Sequence, residues 1–225
     1  MKEDQLIQNT IDFVKKELQN AEGGHDWFHI ERVFNTSKLI LKHEEGNTPV
    51  VKLAVLLHDI ADPKFHGGDE SIGPQTAKNF LESQSVDEQT IEHVVKIIVQ
   101  MSFKNSLEKG TKFTSNELQI VQDADRLDAI GAIGIARAFN YGGFKNRELH
   151  NPDVPPNLNM SKEEYKKSTA PTINHFYEKL LLLKDKMNTE TRKKKDQVLL
   201  YQILHLIRIW KCFTLKDSYP KYQDR

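Results

Sequence analysis

A histidine and an aspartate stand side by side at the end of the most apolar stretch of the chain, His58 and Asp59 in AVLLHDIAD. Burying such a pair without partners costs on the order of a few kcal/mol, and a metal ion would compensate. Adjacent helix positions point about 100° apart. Both side chains can still reach one ion that sits beside the helix where other helices converge. Two more residues point the same way. His29 shares a helical face with Val33, Thr36 and Ile40, and Asp125, in QDADRLDAIG, shares one with Leu118, Val121 and Ala129. Two imidazoles and two carboxylates form a mixed N/O set that suits Mn²⁺, Fe²⁺ or Mg²⁺ in octahedral geometry, with positions left for water and substrate. Zinc would find no thiolate among them. Taken singly, each residue has an ordinary explanation: a hydrogen-bonded core histidine, a common dipeptide, a solvated or capping aspartate. Their combination is what points to a metal.

The elements that must position these residues read as helices almost throughout. Leu6, Ile7, Ile11, Val14 and Leu18 recur at three- and four-residue steps, and Gly23-Gly24 stops that helix. A second helix is predicted over 27–43. A third opens with Thr48 as cap and Pro49 at its first position, and runs apolar on nearly every side to 61, which makes it central. Helices are expected over 72–83, from the capping box Ser85–Glu88 to about 102, and from a second box, Thr114–Glu117, to about 140. Gly131 and Gly134 fall inside that last helix, where each costs about 1 kcal/mol against alanine, so close packing is the expected compensation. Residues 142–160 form a long loop containing Pro152, Pro155 and Pro156, a helix over 163–187 is kinked at Pro171, and a final helix covers 191–213. Strand alternation is absent. The expectation is an all-α bundle of about 8–10 helices in a single domain over 1–225, its core within about 1–190 and an atypical C-terminal helix and tail over 191–225.

Lysine plus arginine number 32 and aspartate plus glutamate number 32, for a formal charge of zero on 225 residues. A nucleic-acid polymer needs a cationic face that displaces counterions, so no such partner is expected. A small phosphorylated ligand needs only a local cluster of cations or a metal. The lone Cys212 excludes an intramolecular disulfide. The polar start MKEDQLIQNTIDF has no apolar segment of the signal-peptide kind, and no run of about 18 apolar residues occurs. A cytoplasmic location without a membrane partner is the expectation.

The order His29…His58-Asp59…Asp125 resembles the metal-binding signature of the HD-domain phosphohydrolase superfamily. Four blocks, GHDWFHIERV, AVLLHDIAD, QDADRLDAIGAIGIARAF and NHFYEKLLLLKDKMNTETRKK, are similar to one bacterial subgroup of HD-domain hydrolases that resembles nucleotide pyrophosphohydrolases, over roughly residues 1–195. The resemblance implies a single HD domain whose metal ligands are His29, His58, Asp59 and Asp125. His29 is preferred to His25 because it precedes Arg32-Val33 as the superfamily's ligand precedes its helical valine. His93 is the sole histidine between Asp69 and Asp125, and Gln100-Met101 stands where a second-metal histidine would be expected. One divalent metal is therefore implied, Mn²⁺ or Mg²⁺, with Fe²⁺ as the third choice.

The resemblance also implies hydrolysis of a phosphate ester or anhydride by a metal-activated water, with Asp59 at the catalytic metal. Asp62 matches the position of a catalytic acid in related HD hydrolases, or is simply a helix-terminal residue before Pro63. Expected substrate contacts are His25, at the mouth of the site or as a cap, and the cations Lys64, Lys104 and Arg126. Arg126 has a structural alternative, pairing with Asp123 or Asp128. His175 and Lys179 form an i, i+4 pair that faces either substrate or solvent. Small nucleotides are the implied substrates. Cleavage of a nucleoside triphosphate to monophosphate and pyrophosphate is the favoured form. The alternatives are a 5′-nucleotidase-like phosphomonoesterase and a non-catalytic nucleotide-sensing module. The chain departs from the subgroup at QVLLYQILHLIRIWKCF, where an amphipathic charged helix would be expected, so this segment is either buried, as in a homodimer, or diverged.

Overall fold

The computed structural model describes residues 2–61, 69–101 and 113–193, together with 203, 205 and 206. In chain order the helices are α1 (Glu3–Glu17), α2 (Trp27–Ile40), α3 (Thr48–Leu57), α4 (Ile72–Ser83), α5 (Glu88–Gln100), α6 (Asn116–Asp128), α7 (Gly131–Phe144), α8 (Lys162–Lys167), α9 (Thr172–Glu178) and α10 (Glu190–Lys193). Short 3₁₀ turns cover Leu180–Leu182 and Lys184–Lys186. No strand occurs among the described residues, so the expected all-α class holds.

α3 is central for the reason its composition suggests. Val50, Val51 and the run Leu53 to Leu57 are buried on every side. Each such side chain contributes roughly 1.5–3 kcal/mol by leaving water. α1, α2, α5 and α6 surround it, and α4 lies on α5. The cap falls one residue before the expected one: Asn47 Oδ1 accepts the Val50 N–H at 3.2 Å.

Both predicted capping boxes are displaced. α5 is capped by Asp87, which accepts from Thr90, while Ser85 lies in the left-handed region at φ 56°. α6 is capped by Ser115, and Glu117 turns away to accept the Asn47 N–H at 2.7 Å. A complete capping box occurs at Ser161 and Glu164 instead.

Two predicted helices are broken. The one expected from 117 to 140 ends at Asp128, because Ile130 is extended and Gly131 takes φ 77°, a conformation that L side chains rarely adopt. α7 then sets off in a new direction. Gly134 lets it do so, since a Cβ there would overlap the Ala129 carbonyl. The helix expected over 163–187 becomes α8, an extended link, α9 and the two 3₁₀ turns. Its kink is a full break, because Pro171 lacks an N–H and forces the residue before it out of the helical region.

A second apolar cluster gathers Leu127, Ile130, Phe176 and Leu181 with Ile203. At that residue the atypical C-terminal segment is buried against its own chain. Most of the helix predicted over 191–213 lies outside the described residues, as do Asp62, Lys64 and Lys104.

Candidate metal centre

The site forms where the first turns of α2 and the last turn of α6 meet the C-terminal end of α3. Asp26 caps α2 by accepting the His29 N–H, which fixes the start of that helix and the direction of His29. His58 follows α3 directly, and Asp125 lies on the final turn of α6. One ligand atom from each of His29, His58 and Asp125 falls within 4.8 Å of the others. His29 Nε2 is 3.5 Å from Asp125 Oδ1, His58 Nε2 is 3.8 Å from the same oxygen, and the two imidazole centroids are 5.5 Å apart. Asp59 stands at the edge of this group, with Oδ2 3.9 Å from His29 Nε2.

The protonation of this cluster follows from its outer contacts. His58 Nδ1 is 2.7 Å from the Val55 carbonyl oxygen, which can only accept, so Nδ1 is the donor and Nε2 is the ring nitrogen that faces the ligand group. His58 Nε2 is buried and has no hydrogen-bond partner among the described residues. His29 Nδ1 donates to Asp128 Oδ2 at 2.8 Å, which leaves the His29 Nε2 lone pair facing inward as well. Burial pushes the pKa of His29 down, more than the Asp128 hydrogen bond pushes it up, so the imidazole is held neutral. For Asp125, burial alone would raise the pKa. In the acid range where the carboxyl titrates, the charges of protonated His58 and His29, with that of Arg137, outweigh it, and the carboxyl is held below its ordinary range. Two imidazole nitrogens and a carboxylate thus converge, with no lysine or arginine among the described residues bonded to them. An arrangement of acceptors alone fits a cation, and the orphaned His58 Nε2 is its clearest mark.

Asp128 is the residue that the sequence reading did not assign to the site. It is buried, and besides His29 it accepts from Arg32 Nε at 2.6 Å and Nη2 at 3.0 Å, and from Arg137 Nη1 at 2.8 Å. Burial would raise its pKa, but the hydrogen bonds from His29 and Arg32 and the charge of Arg137 hold the carboxyl far below the usual range. Asp128 orients a candidate ligand from behind, the outer-shell device common at metal sites. One available signal was its position three residues after Asp125 on the same helix.

The other predicted residues fall in different places. His25 Nδ1 donates to Glu22 Oε2 at 2.8 Å, and its ring stands 6.5 Å from that of His29 and 5.8 Å from that of Tyr141, at the margin of the site. Arg126 points away from the ligand group, with Nη1 3.3 Å from Asp123 and bonded to the Lys186 carbonyl. Its guanidinium therefore takes the structural alternative. Asp123 is fully buried and also accepts from the backbone and side chains of Asn188 and Thr189. His175 stands beside Tyr165 with ring centroids 6.4 Å apart, and Lys179 ends α9, its N–H still bonded to the His175 carbonyl.

Residues 27–130 match the HD domain family. YpgQ of Bacillus subtilis is 34% identical over 194 residues, covering 86% of both chains. Its crystal structure in complex with ADP superposes with a TM-score of 0.72 over 94% of this chain and 96% of that one, at 31% identity. A Lactobacillus plantarum protein superposes with a TM-score of 0.84 over 94% of this chain and 98% of that one, at 32% identity. An HD-superfamily hydrolase from Bacillus thuringiensis is 38% identical, with a TM-score of 0.70 over 96% of this chain and all of the other. Fold, matched segment and the acceptor cluster agree, and the chain belongs to the HD domain family of metal-dependent hydrolases.

Proposed function

We propose that the protein is a divalent-metal-dependent phosphohydrolase of small nucleotides that cleaves a nucleoside triphosphate to monophosphate and pyrophosphate. The observation that carries this reading is the convergence of acceptors with the orphaned His58 Nε2 among them. The ADP bound by YpgQ supports the choice of ligand class.

His29, His58 and Asp125 would hold the ion, with Asp59 beside them. When bound, the ion supplies Lewis acidity toward a phosphate oxygen and toward the attacking water. The protein's part is preorganisation. Asp128 and the Val55 carbonyl each take the Nδ1 hydrogen bond of one imidazole, which leaves its Nε2 turned toward the ligand group. Asp62, three residues beyond Asp59, is assigned the handling of the water's proton. Mn²⁺ is the favoured ion for the mixed N/O set, with Mg²⁺ second.

Incubating the Mn²⁺-loaded protein with a panel of nucleoside mono-, di- and triphosphates and separating the products tests the reading. Monophosphate and pyrophosphate from a triphosphate are the expected products. Release of inorganic phosphate from monophosphates would make it a phosphomonoesterase, and absence of turnover at full metal occupancy would make it a nucleotide sensor.

A further inference from the structure

A nucleoside triphosphate carries up to four negative charges, and a single divalent ion next to two carboxylates leaves most of that charge unmatched. Of the cations the sequence singled out, Arg126 is committed to Asp123 and the Lys186 carbonyl. Lys162 and Lys166 both reach Glu70, and Arg32 and Arg137 are held by Asp128. The structure offers another pair along a continuous path from the ligand group.

That path runs over rings. His29 is followed by His25 at 6.5 Å and His25 by Tyr141 at 5.8 Å. Tyr141 lies one turn beyond Arg137 on α7. Since Arg137 reaches Asp128 and the Gly24 carbonyl, this face of α7 runs outward from behind His29 along the segment that carries His25. Two cations stand by Tyr141: Lys145 Nζ is 5.8 Å and Arg147 Cζ 5.7 Å from its ring centroid. Arg147 is half-buried and positioned by donating Nη2 to the Ser168 carbonyl at 2.6 Å, while Lys145 is exposed and also stands over Phe144 at 5.2 Å. The geometry points to Lys145 and Arg147 as the cations that grip the substrate's phosphates beyond the one at the ligand group, with Tyr141 positioning both. This inference rests on the nucleotide phosphohydrolase reading above and names residues for it.

The chemistry is suited to the task. A guanidinium offers two donors to a phosphate in fixed geometry, and an ammonium on a flexible stem adapts to a chain of variable length. Under the proposed cleavage the phosphates they grip depart as pyrophosphate, so the two cations act on substrate binding and also stabilise the charge that develops on the leaving group.

The test uses the full-length, Mn²⁺-loaded protein with Lys145→Gln, Lys145→Arg and Arg147→Lys, plus the double variant Lys145→Gln/Arg147→Lys. The readouts are KM and kcat for a nucleoside triphosphate and the affinity for ADP by calorimetry at several salt concentrations. We expect kcat/KM to fall about fivefold for Lys145→Gln and about tenfold for Arg147→Lys, with ADP affinity weakened in parallel and kcat lowered because the gripped phosphates are the leaving group. Lys145→Arg should restore most of the loss, and the salt dependence of ADP binding should flatten in the double variant. Wild-type protein that neither binds ADP nor turns over triphosphate would overturn the functional reading itself. Wild-type binding with unchanged kcat/KM, ADP affinity and salt slope in the double variant would overturn this inference alone. A loss not rescued by Lys145→Arg would also overturn it, because charge would not be the cause.

Discussion

Replacing Asp128 by asparagine keeps the shape of the side chain and removes the charge that three cationic or proton-bearing groups share. His29 Nδ1 and Arg137 Nη1 each donate to it at 2.8 Å from buried or nearly buried positions. Charge-assisted hydrogen bonds of this kind are worth roughly 1.5–3 kcal/mol each. The Arg32 side chain is 38% exposed, so solvent screens it and its share is at most about 1 kcal/mol. Asparagine retains one acceptor oxygen, which recovers part of the loss. The expected cost is about 3 kcal/mol, or about 6–12 °C in Tm for a chain of this size.

A second consequence is specific to the site. If the amide nitrogen faces His29, the ring takes the tautomer protonated on Nε2 and the inward lone pair disappears. Outer-shell substitutions of this kind typically weaken metal binding about 10–100-fold. Thermal unfolding of the metal-free protein by circular dichroism measures the first effect, and Mn²⁺ titration by calorimetry measures the second. The pH dependence supplies a sign. The depressed Asp128 carboxyl contributes stability that is present above the ordinary aspartate pKa of about 4 and is lost as pH falls toward its depressed value. The Tm gap between wild type and Asp128→Asn should therefore be full at pH 7 and narrow below about pH 4. Equal Mn²⁺ affinity and a Tm within a degree of wild type at pH 7 would refute the role given to Asp128.

Three further outcomes are expected. Asp125→Asn should lower the Tm of the metal-free protein modestly at pH 7, because the depressed carboxyl contributes stability there, and it should abolish the Mn²⁺-induced stabilisation, about 2.7 kcal/mol in wild type at a hundredfold excess over Kd. Glu178 has its pKa raised by burial, against the Asn157 N–H it accepts and the field of Arg147. A raised carboxyl loses stability as pH rises through its folded pKa, so Glu178→Gln should be the more stable protein at pH 8 and lose that advantage near pH 4, as pH-dependent melting would show. Gly134→Ala should lower Tm through the overlap with the Ala129 carbonyl, at a cost of roughly 1–3 kcal/mol. A Tm equal to wild type would show that α7 can shift without loss.

Much of the fold and of the candidate site was legible in the residues themselves. Helical periodicity marked α1 to α5 closely, because an amphipathic stripe is a local property that burial merely ratifies. The buried cost of His58 beside Asp59, and the inward faces carrying His29 and Asp125, pointed to one place before any coordinates did. Caps were less legible: Asn47, Asp87 and Ser115 won over neighbours of similar propensity by tertiary contacts such as Glu117 to Asn47.

The break at Ile130–Gly131 was settled only in three dimensions. In an unbroken helix Asp128 and Arg137 would be about 13.5 Å apart along the axis. With the left-handed Gly131 between them, Arg137 folds back onto Asp128 at 2.8 Å and completes the support of His29. The direction of Arg126, toward Asp123 rather than the ligand group, was decided in the same way, because Lys186 and Asn188 lie some sixty residues ahead in the chain and no local pattern announces their arrival. The sequence determines which residues are candidate ligands through types and spacings that are costly to bury. The tertiary structure decides which groups hold those candidates in place, because that support comes from chain segments that meet only on folding.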